Sequence, residues 1–183
     1  MKQREMVIWL TGLPCSGKTS ISRAIHDQLR KESLNSYILD GDEVRRRLSS
    51  DLDFTKKGRR ENVRRVGEVS KLFAESGMII LVALVSPYRN DRNRVRKILK
   101  PGQFIEIYVD CPIGVCEDRD VKGMYKKARK GEIKDFTGIS SPYEAPMNPE
   151  VHLQTHKQDI EGCVDVVYEY LISMKHQQTR KFI

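Results

Sequence analysis

The chain is 183 residues long, the size of a single domain able to bury its own core, with the span 1–183 expected to form one unit. Its longest apolar run, residues 78–85, is too short for a membrane span, and four cysteines without a C-x-x-C pair argue against a disulfide scaffold or a zinc site. The net charge of +8 is concentrated: residues 45–65 hold nine basic against three acidic side chains and residues 119–135 seven against three, which points to a focused anion site. No aromatic-interleaved platform accompanies this charge, so a nucleic-acid partner ranks below a small anionic ligand.

In chain order, Met1 to Glu5 lead without a secretory apolar region into a strand predicted over 6–10, which together with unpaired thiols gives the expectation of a reducing cytoplasmic setting. Next comes Gly12-Leu13-Pro14-Cys15-Ser16-Gly17-Lys18-Thr19, a phosphate-binding loop of the form G-x-x-x-x-G-K-[ST], followed by a helical pattern at Ile21, Ala24, Ile25 and Leu29. In that setting the backbone N–H groups turn inward on phosphate oxygens and the helix N-terminus adds positive potential. Lys18 reaches the β- and γ-phosphates, and the Thr19 hydroxyl ligates Mg²⁺. The expected ligand is a nucleoside triphosphate, ATP in a small kinase. The chain has no guanine-reading N-K-x-D, and it is short for a mechanical ATPase.

A second strand, 36–39, ends in Asp40-Gly41-Asp42, which brings two carboxylates to the carboxyl end of a sheet, where α/β proteins bind ligands. One carboxylate would orient or deprotonate an acceptor hydroxyl and the other support Mg²⁺; the alternative is an Asx turn capping the next helix. Val63, Val66, Val69, Leu72 and Phe73 then mark one helix face, and a third strand over 78–85 ends at Ser86-Pro87-Tyr88-Arg89. Ser86 is read as an acceptor-binding residue and, less favourably, as a phosphoryl carrier or a helix cap. A short helix carries Val95, Ile98 and Leu99, and strands are expected over 104–109 and 151–154. The last helix has Ile160, Cys163, Val164, Val167, Leu171 and Met174 inward, with a frayed tail after Lys175. Alternating strands and helices predict an α/β fold with a parallel, roughly five-stranded sheet covered on both faces. Between 120 and 149, three glycines, three prolines and many lysines interrupt the alternation and are read as a lid.

Asp40-Gly41-Asp42, Arg59-Arg60-Glu61-Asn62 with the helix that follows, Ser86-Pro87-Tyr88-Arg89, the lysine-rich run from Cys116 to Ile139 and Ser141-Pro142-Tyr143-Glu144-Ala145-Pro146 together resemble the adenylylsulfate kinase family, in order and spacing over about residues 6–151. The resemblance implies a three-layer α/β/α P-loop kinase that moves the γ-phosphoryl of ATP to the 3′-hydroxyl of adenosine 5′-phosphosulfate in sulfate assimilation, with Mg²⁺, as a cytoplasmic homodimer. It matches Phe54 and Phe136 to a pair that sandwiches the acceptor adenine. Arg45, Arg59, Asn62, Gly41, Val85 and Ser86 match acceptor-binding positions, with Lys122 and Thr137 reaching in from the lid. It further implies Lys18, Asp42 and Ser86 as the catalytic set, Asp42 as the acceptor-orienting base, Thr19 and Asp40 at the metal, and Arg119 near the ATP adenine. The chain departs from the family pattern at Gly58, where Asp is usual, at Glu43, where Asn is usual, and at Ser140. Two other readings stand beside this one: a kinase of the same scaffold for another nucleotide, such as a cytidine diphosphate derivative, and a nucleotide-dependent nucleic-acid-binding module.

Overall fold

The computed structural model describes residues 5–179. Five strands, β1 (Met6–Thr11), β2 (Ser36–Asp40), β3 (Ile79–Ala83), β4 (Phe104–Asp110) and β5 (Val151–Gln154), form one parallel sheet in the order β2-β3-β1-β4-β5. Each strand-to-strand crossover carries helix: α1 (Lys18–Lys31), α2 (Gly41–Arg46), α3 (Lys56–Glu75), α4 (Arg89–Ile98), α5 (Ile113–Asp118) and α6 (Met124–Arg129), with α7 (Ile160–Thr179) last. Because both faces are covered, β1 is apolar throughout rather than alternating. Its odd and even residues nonetheless serve different layers. Ile8 and Leu10 pack with Ile21, Ile25, Leu29, Val167 and Leu171 from α1 and α7. Val7 and Trp9 pack with Val63, Val66 and Val95 from α3 and α4.

The expected strands and main helices are present, with informative differences at their ends. β3 stops at Ala83 instead of running to 85, because Ser86 takes a left-handed φ of 38° and the Val85 carbonyl turns to accept the Thr11 hydroxyl at 2.8 Å. The helical backbone of α7 continues through Thr179 where fraying was expected after Lys175, and residues 180–183 of that tail lie outside the described residues. Among the described residues no helix is long and apolar enough to cross a membrane.

The stretch 120–149 is not uniform. Its first part contains α6, absent from the sequence reading because six residues show too little periodicity to detect. Its second part is tied down: Glu144 donates its N–H to the Pro87 carbonyl at 2.8 Å and Arg89 its Nε to the Ala145 carbonyl at 2.7 Å. Arg92, 1% exposed, holds this strap from beneath. Its three nitrogens donate to Glu106 Oε1 on β4 at 2.6 Å, to the Ser86 carbonyl at 2.6 Å and to the Glu144 carbonyl at 2.7 Å. The second part of the stretch is thus anchored to β4 and the Ser86 turn. Truncating Glu106 to Ala leaves the Arg92 charge buried without its counter-ion. The expected cost is about 3–5 kcal/mol of unfolding free energy by urea titration, and a loss under about 1 kcal/mol would show that the charge rehydrates.

Candidate active site

The carboxyl ends of β1, β2 and β3 open on a cleft of about 1440 Å³. The phosphate loop forms one wall. Gly12 is required by close approach, since a Cβ there would stand 2.4 Å from the Val109 carbonyl oxygen. Gly17 is required by its backbone, φ 103°, at the N-cap of α1. Pro14, Cys15, Gly17, Lys18 and Thr19 line the cleft, whereas Gly12, Leu13 and Ser16 form the back of the loop against β4 and the lid base. Lys18 Nζ lies within the loop, donating to the carbonyls of Gly12 at 3.0 Å and Leu13 at 2.5 Å and to Ser16 Oγ at 3.3 Å. Burial lowers its pKa to about 8, opposed by the nearby carboxylates of Asp40 and Asp42.

At the end of β2, Asp40 serves two purposes at once. Its Oδ1 accepts the Asp42 N–H at 3.0 Å and caps α2, and its Oδ2 accepts the Thr19 hydroxyl at 2.7 Å. The Asx-turn and ligand readings of this motif are thus compatible. Among the described residues no cluster of three or more His, Cys, Asp or Glu forms a free-standing metal site. The Thr19–Asp40 pair offers two hard oxygen donors beside the loop, which suits a Mg²⁺ ion that takes its remaining ligands from phosphate and water. Asp42 faces the lid and forms an ion pair with Lys122, both groups being mostly exposed; the carboxylate raises the Lys122 pKa.

The opposite wall is cationic and aromatic. Arg45 and Arg59 stand over the Phe54 ring, 4.6 and 5.3 Å from its centroid. Burial lowers the pKa of both, and the Arg59 charge adds to the shift at Arg45, so the two cations sit closer than their own charges favour. Phe54 is 55% exposed and belongs to the cleft, not to the core. Phe136 is buried at the cleft edge, its ring edge-on to Tyr125 at 4.9 Å. Asn62 Oδ1 and Thr137 Oγ1 are buried without a hydrogen-bond partner and line the same space, unmet polar atoms that a polar ligand would satisfy. Gly41, Val85 and Ser86 line the cleft as well.

Ser86 lines the cleft, where an acceptor-binding residue was expected, and its two less favoured readings do not fit its geometry. Its Oγ accepts Trp9 Nε1 at 3.0 Å and donates to Thr11 Oγ1 at 3.0 Å, so the hydroxyl is engaged inward rather than offered as a phosphoryl carrier. Nor does it cap α4, whose N-cap is Tyr88. Arg119 lines the far end of the cleft and donates to the Thr155 carbonyl at 2.7 Å. Thr155 was missed in the sequence. It follows the carboxyl end of β5 and holds the loop by donating its hydroxyl to the Ser16 carbonyl at 2.9 Å; the strand-end rule was the signal that pointed there. Thr11 and Tyr143, joined at 3.0 Å, were also missed, because nothing local in sequence pairs them.

Residues 4–154 match the family model described as adenylylsulphate kinase. The adenylyl-sulfate kinase of Saccharomyces cerevisiae is 53% identical over 176 residues, 95% of this chain and 87% of that protein. The adenylyl-sulfate kinase of Clostridium acetobutylicum is 52% identical over 171 residues, 93% and 85% of the two chains. Among solved structures, the Mycobacterium tuberculosis APS kinase CysC in complex with AMPPNP and APS superposes with a TM-score of 0.88 at 39% identity, covering 92% of this chain and 98% of that one.

The lowered Lys18 pKa has a measurable sign. Below about 8 the side chain is cationic, and above it the free enzyme loses that charge. Nucleotide affinity is therefore expected to weaken as pH rises from 8 towards 10, by up to about tenfold per unit, while Lys18→Arg removes this dependence because a guanidinium stays charged. Calorimetric titrations with ATP across that range check it; a wild-type affinity flat with pH would place the lysine outside the binding event.

Proposed function

The chain belongs to the adenylylsulfate kinase family, and on that footing we propose that it transfers the γ-phosphoryl of ATP to the 3′-hydroxyl of adenosine 5′-phosphosulfate, giving 3′-phosphoadenosine 5′-phosphosulfate and ADP in sulfate assimilation. The observation that carries this reading is the two-ended cleft: a phosphate loop with a buried lysine at one end, and two crowded guanidiniums around an exposed phenylalanine at the other. The first end suits a triphosphate. The second suits a flat base bearing a strongly anionic group, since an anion between Arg45 and Arg59 relieves their mutual repulsion and an aromatic face stacks on the base.

In the proposed reaction the acceptor oxygen forms a bond to the γ-phosphorus in line with the bond to ADP, which breaks. Asp42 accepts a hydrogen bond from the 3′-hydroxyl and takes its proton as that bond forms. Lys122 meets the same carboxylate from the lid, so lid position and base position are linked. Lys18 and the loop N–H groups of Cys15 to Thr19 stabilise negative charge on the transferred group, Thr19 and Asp40 would hold Mg²⁺, and Arg119 lies beside the ATP base. Held there, Mg²⁺ would supply positive charge to offset the negative charge of the nucleotide phosphates. Gly41, Val85 and Asn62 border the acceptor, Thr137 and Phe136 close on it, and Ser86 acts by positioning the Val85–Ser86 backbone rather than by carrying a phosphoryl group. We take residues 1–183 as one domain with its lid between about 120 and 140, working in the cytoplasm as a homodimer, as the family resemblance implies.

Transfer from γ-labelled ATP to a panel of nucleotides tests the reading, with selective labelling of adenosine 5′-phosphosulfate at the 3′ position expected. Label on another nucleotide instead would reassign the acceptor. Lys18→Ala is expected to lower turnover by at least about 10²-fold. Asp42→Asn is expected to lower kcat by about 10²–10⁴-fold with ATP affinity nearly intact; an equal loss in ATP affinity would make Asp42 a metal or structural residue.

A further inference from the structure

Arg45 comes from α2, Arg59 from α3 and Phe54 from the connection between them, yet a single turn over residues 52–55 assembles all three. Arg45 Nη1 donates to the carbonyls of Leu52 at 3.1 Å and Asp53 at 2.7 Å. Arg59 Nε donates to the Phe54 carbonyl at 2.9 Å, and its Nη2 reaches the Asp135 carbonyl in the lid at 2.7 Å. The turn is closed by groups that do not face the cleft. Asp53 Oδ1 accepts both the N–H of Thr55 at 3.1 Å and its hydroxyl at 2.6 Å, and Thr55 Oγ1 in turn accepts the Gly58 N–H at 3.2 Å as the N-cap of α3.

Gly58 is one of the three positions at which this chain departs from the family pattern, and the turn gives the physical reason. A Cβ at 58 would stand 2.2 Å from Asp53 Oδ1 and 2.5 Å from the Asp53 carbonyl oxygen. The second contact is with backbone and cannot rotate away, and that same carbonyl anchors Arg45. In the first turn of α3 Gly has no helix-forming advantage over Ala or Asp, so propensity gives no reason for Gly here. An Asp at 58 has no place to stand while Asp53 keeps its carboxylate in that volume.

We infer that Asp53, Thr55 and Gly58 are positioning residues for the acceptor end of the cleft, setting Arg45 and Phe54 through the 52–55 turn without touching the substrate themselves. The inference rests on the reading of that end as the site of adenosine 5′-phosphosulfate, and it makes the Gly58 departure a change in how that clamp is supported. Because the turn is remote from the phosphate loop, its disturbance separates the two substrates kinetically.

The experiment is steady-state kinetics with each substrate varied in turn, on wild type, Gly58→Ala, Asp53→Ala and Asp53→Asn. Gly58→Ala and Asp53→Ala are expected to raise KM for adenosine 5′-phosphosulfate by about tenfold or more, with KM for ATP within about twofold of wild type. Asp53→Asn is expected to recover most of the loss, because its amide oxygen still accepts from Thr55. Asp53→Ala introduces no clash, so it carries the test with its Asn counterpart if Gly58→Ala fails to fold. An unchanged acceptor KM in either variant, or equal rises in both KM values, overturns the inference. A wild-type enzyme that fails to label adenosine 5′-phosphosulfate overturns the function reading instead, a separate outcome from an active wild type whose variants behave alike.

Discussion

A guanidinium held inside an apolar layer is the constraint around which the cleft is built. Arg92 lies between the sheet and the strap over residues 143–150, and each of its nitrogens meets an oxygen: the Glu106 carboxylate, the Ser86 carbonyl and the Glu144 carbonyl. An ion pair in such a place is tolerable only when its donors are all matched, since the desolvation of two charges otherwise exceeds their attraction. That demand fixes three separate segments relative to β4. Ser86, in the left-handed region, is held by Arg92 at its carbonyl and by Trp9 and Thr11 at its hydroxyl, so a backbone conformation that non-glycine residues avoid is over-determined by its surroundings.

The two ends of the cleft differ in how they are prepared. At the phosphate loop the preparation is geometric: Lys18 is held by loop carbonyls, so its side chain is already ordered within the loop. At the acceptor end the preparation is electrostatic. Arg45 and Arg59 are kept together by carbonyl acceptors and the Phe54 face despite their like charge, which leaves an unmet attraction for anions in the cleft.

Much of this was visible in the chain before any coordinates. The phosphate loop with its flanking strand and helix, and Asp40-Gly41-Asp42 at a strand end, are local patterns, and local patterns survive translation into three dimensions because each depends on a few consecutive residues. Every expected cleft residue of the acceptor set, from Asp40 to Thr137, lines one space. The failures share a cause. The inward turn of the Ser86 hydroxyl depends on Trp9 and Thr11, more than seventy positions away. The anchoring of the strap depends on Arg92, and Thr155 acts on Ser16 across 139 positions. No spacing rule reports such pairs. Gly58 shows the same limit at short range: as a letter it is only a departure from the family pattern, and the position of the Asp53 carbonyl explains it.

The division of residues 120–149 into a basic, exposed front and an anchored strap also bears on what happens if the backbone is cut. A nick among the lysines between α6 and Phe136 would leave β1 to β4 with α1 to α6 on one fragment and the strap, β5 and α7 on the other. β5 is hydrogen-bonded along β4, α7 shares a core with α1, and Arg92 and Arg96 grip Glu144 and Glu150 across the break. The fragments would thus remain one particle after proteolysis, with a core intact but the covalent link between lid and strap severed.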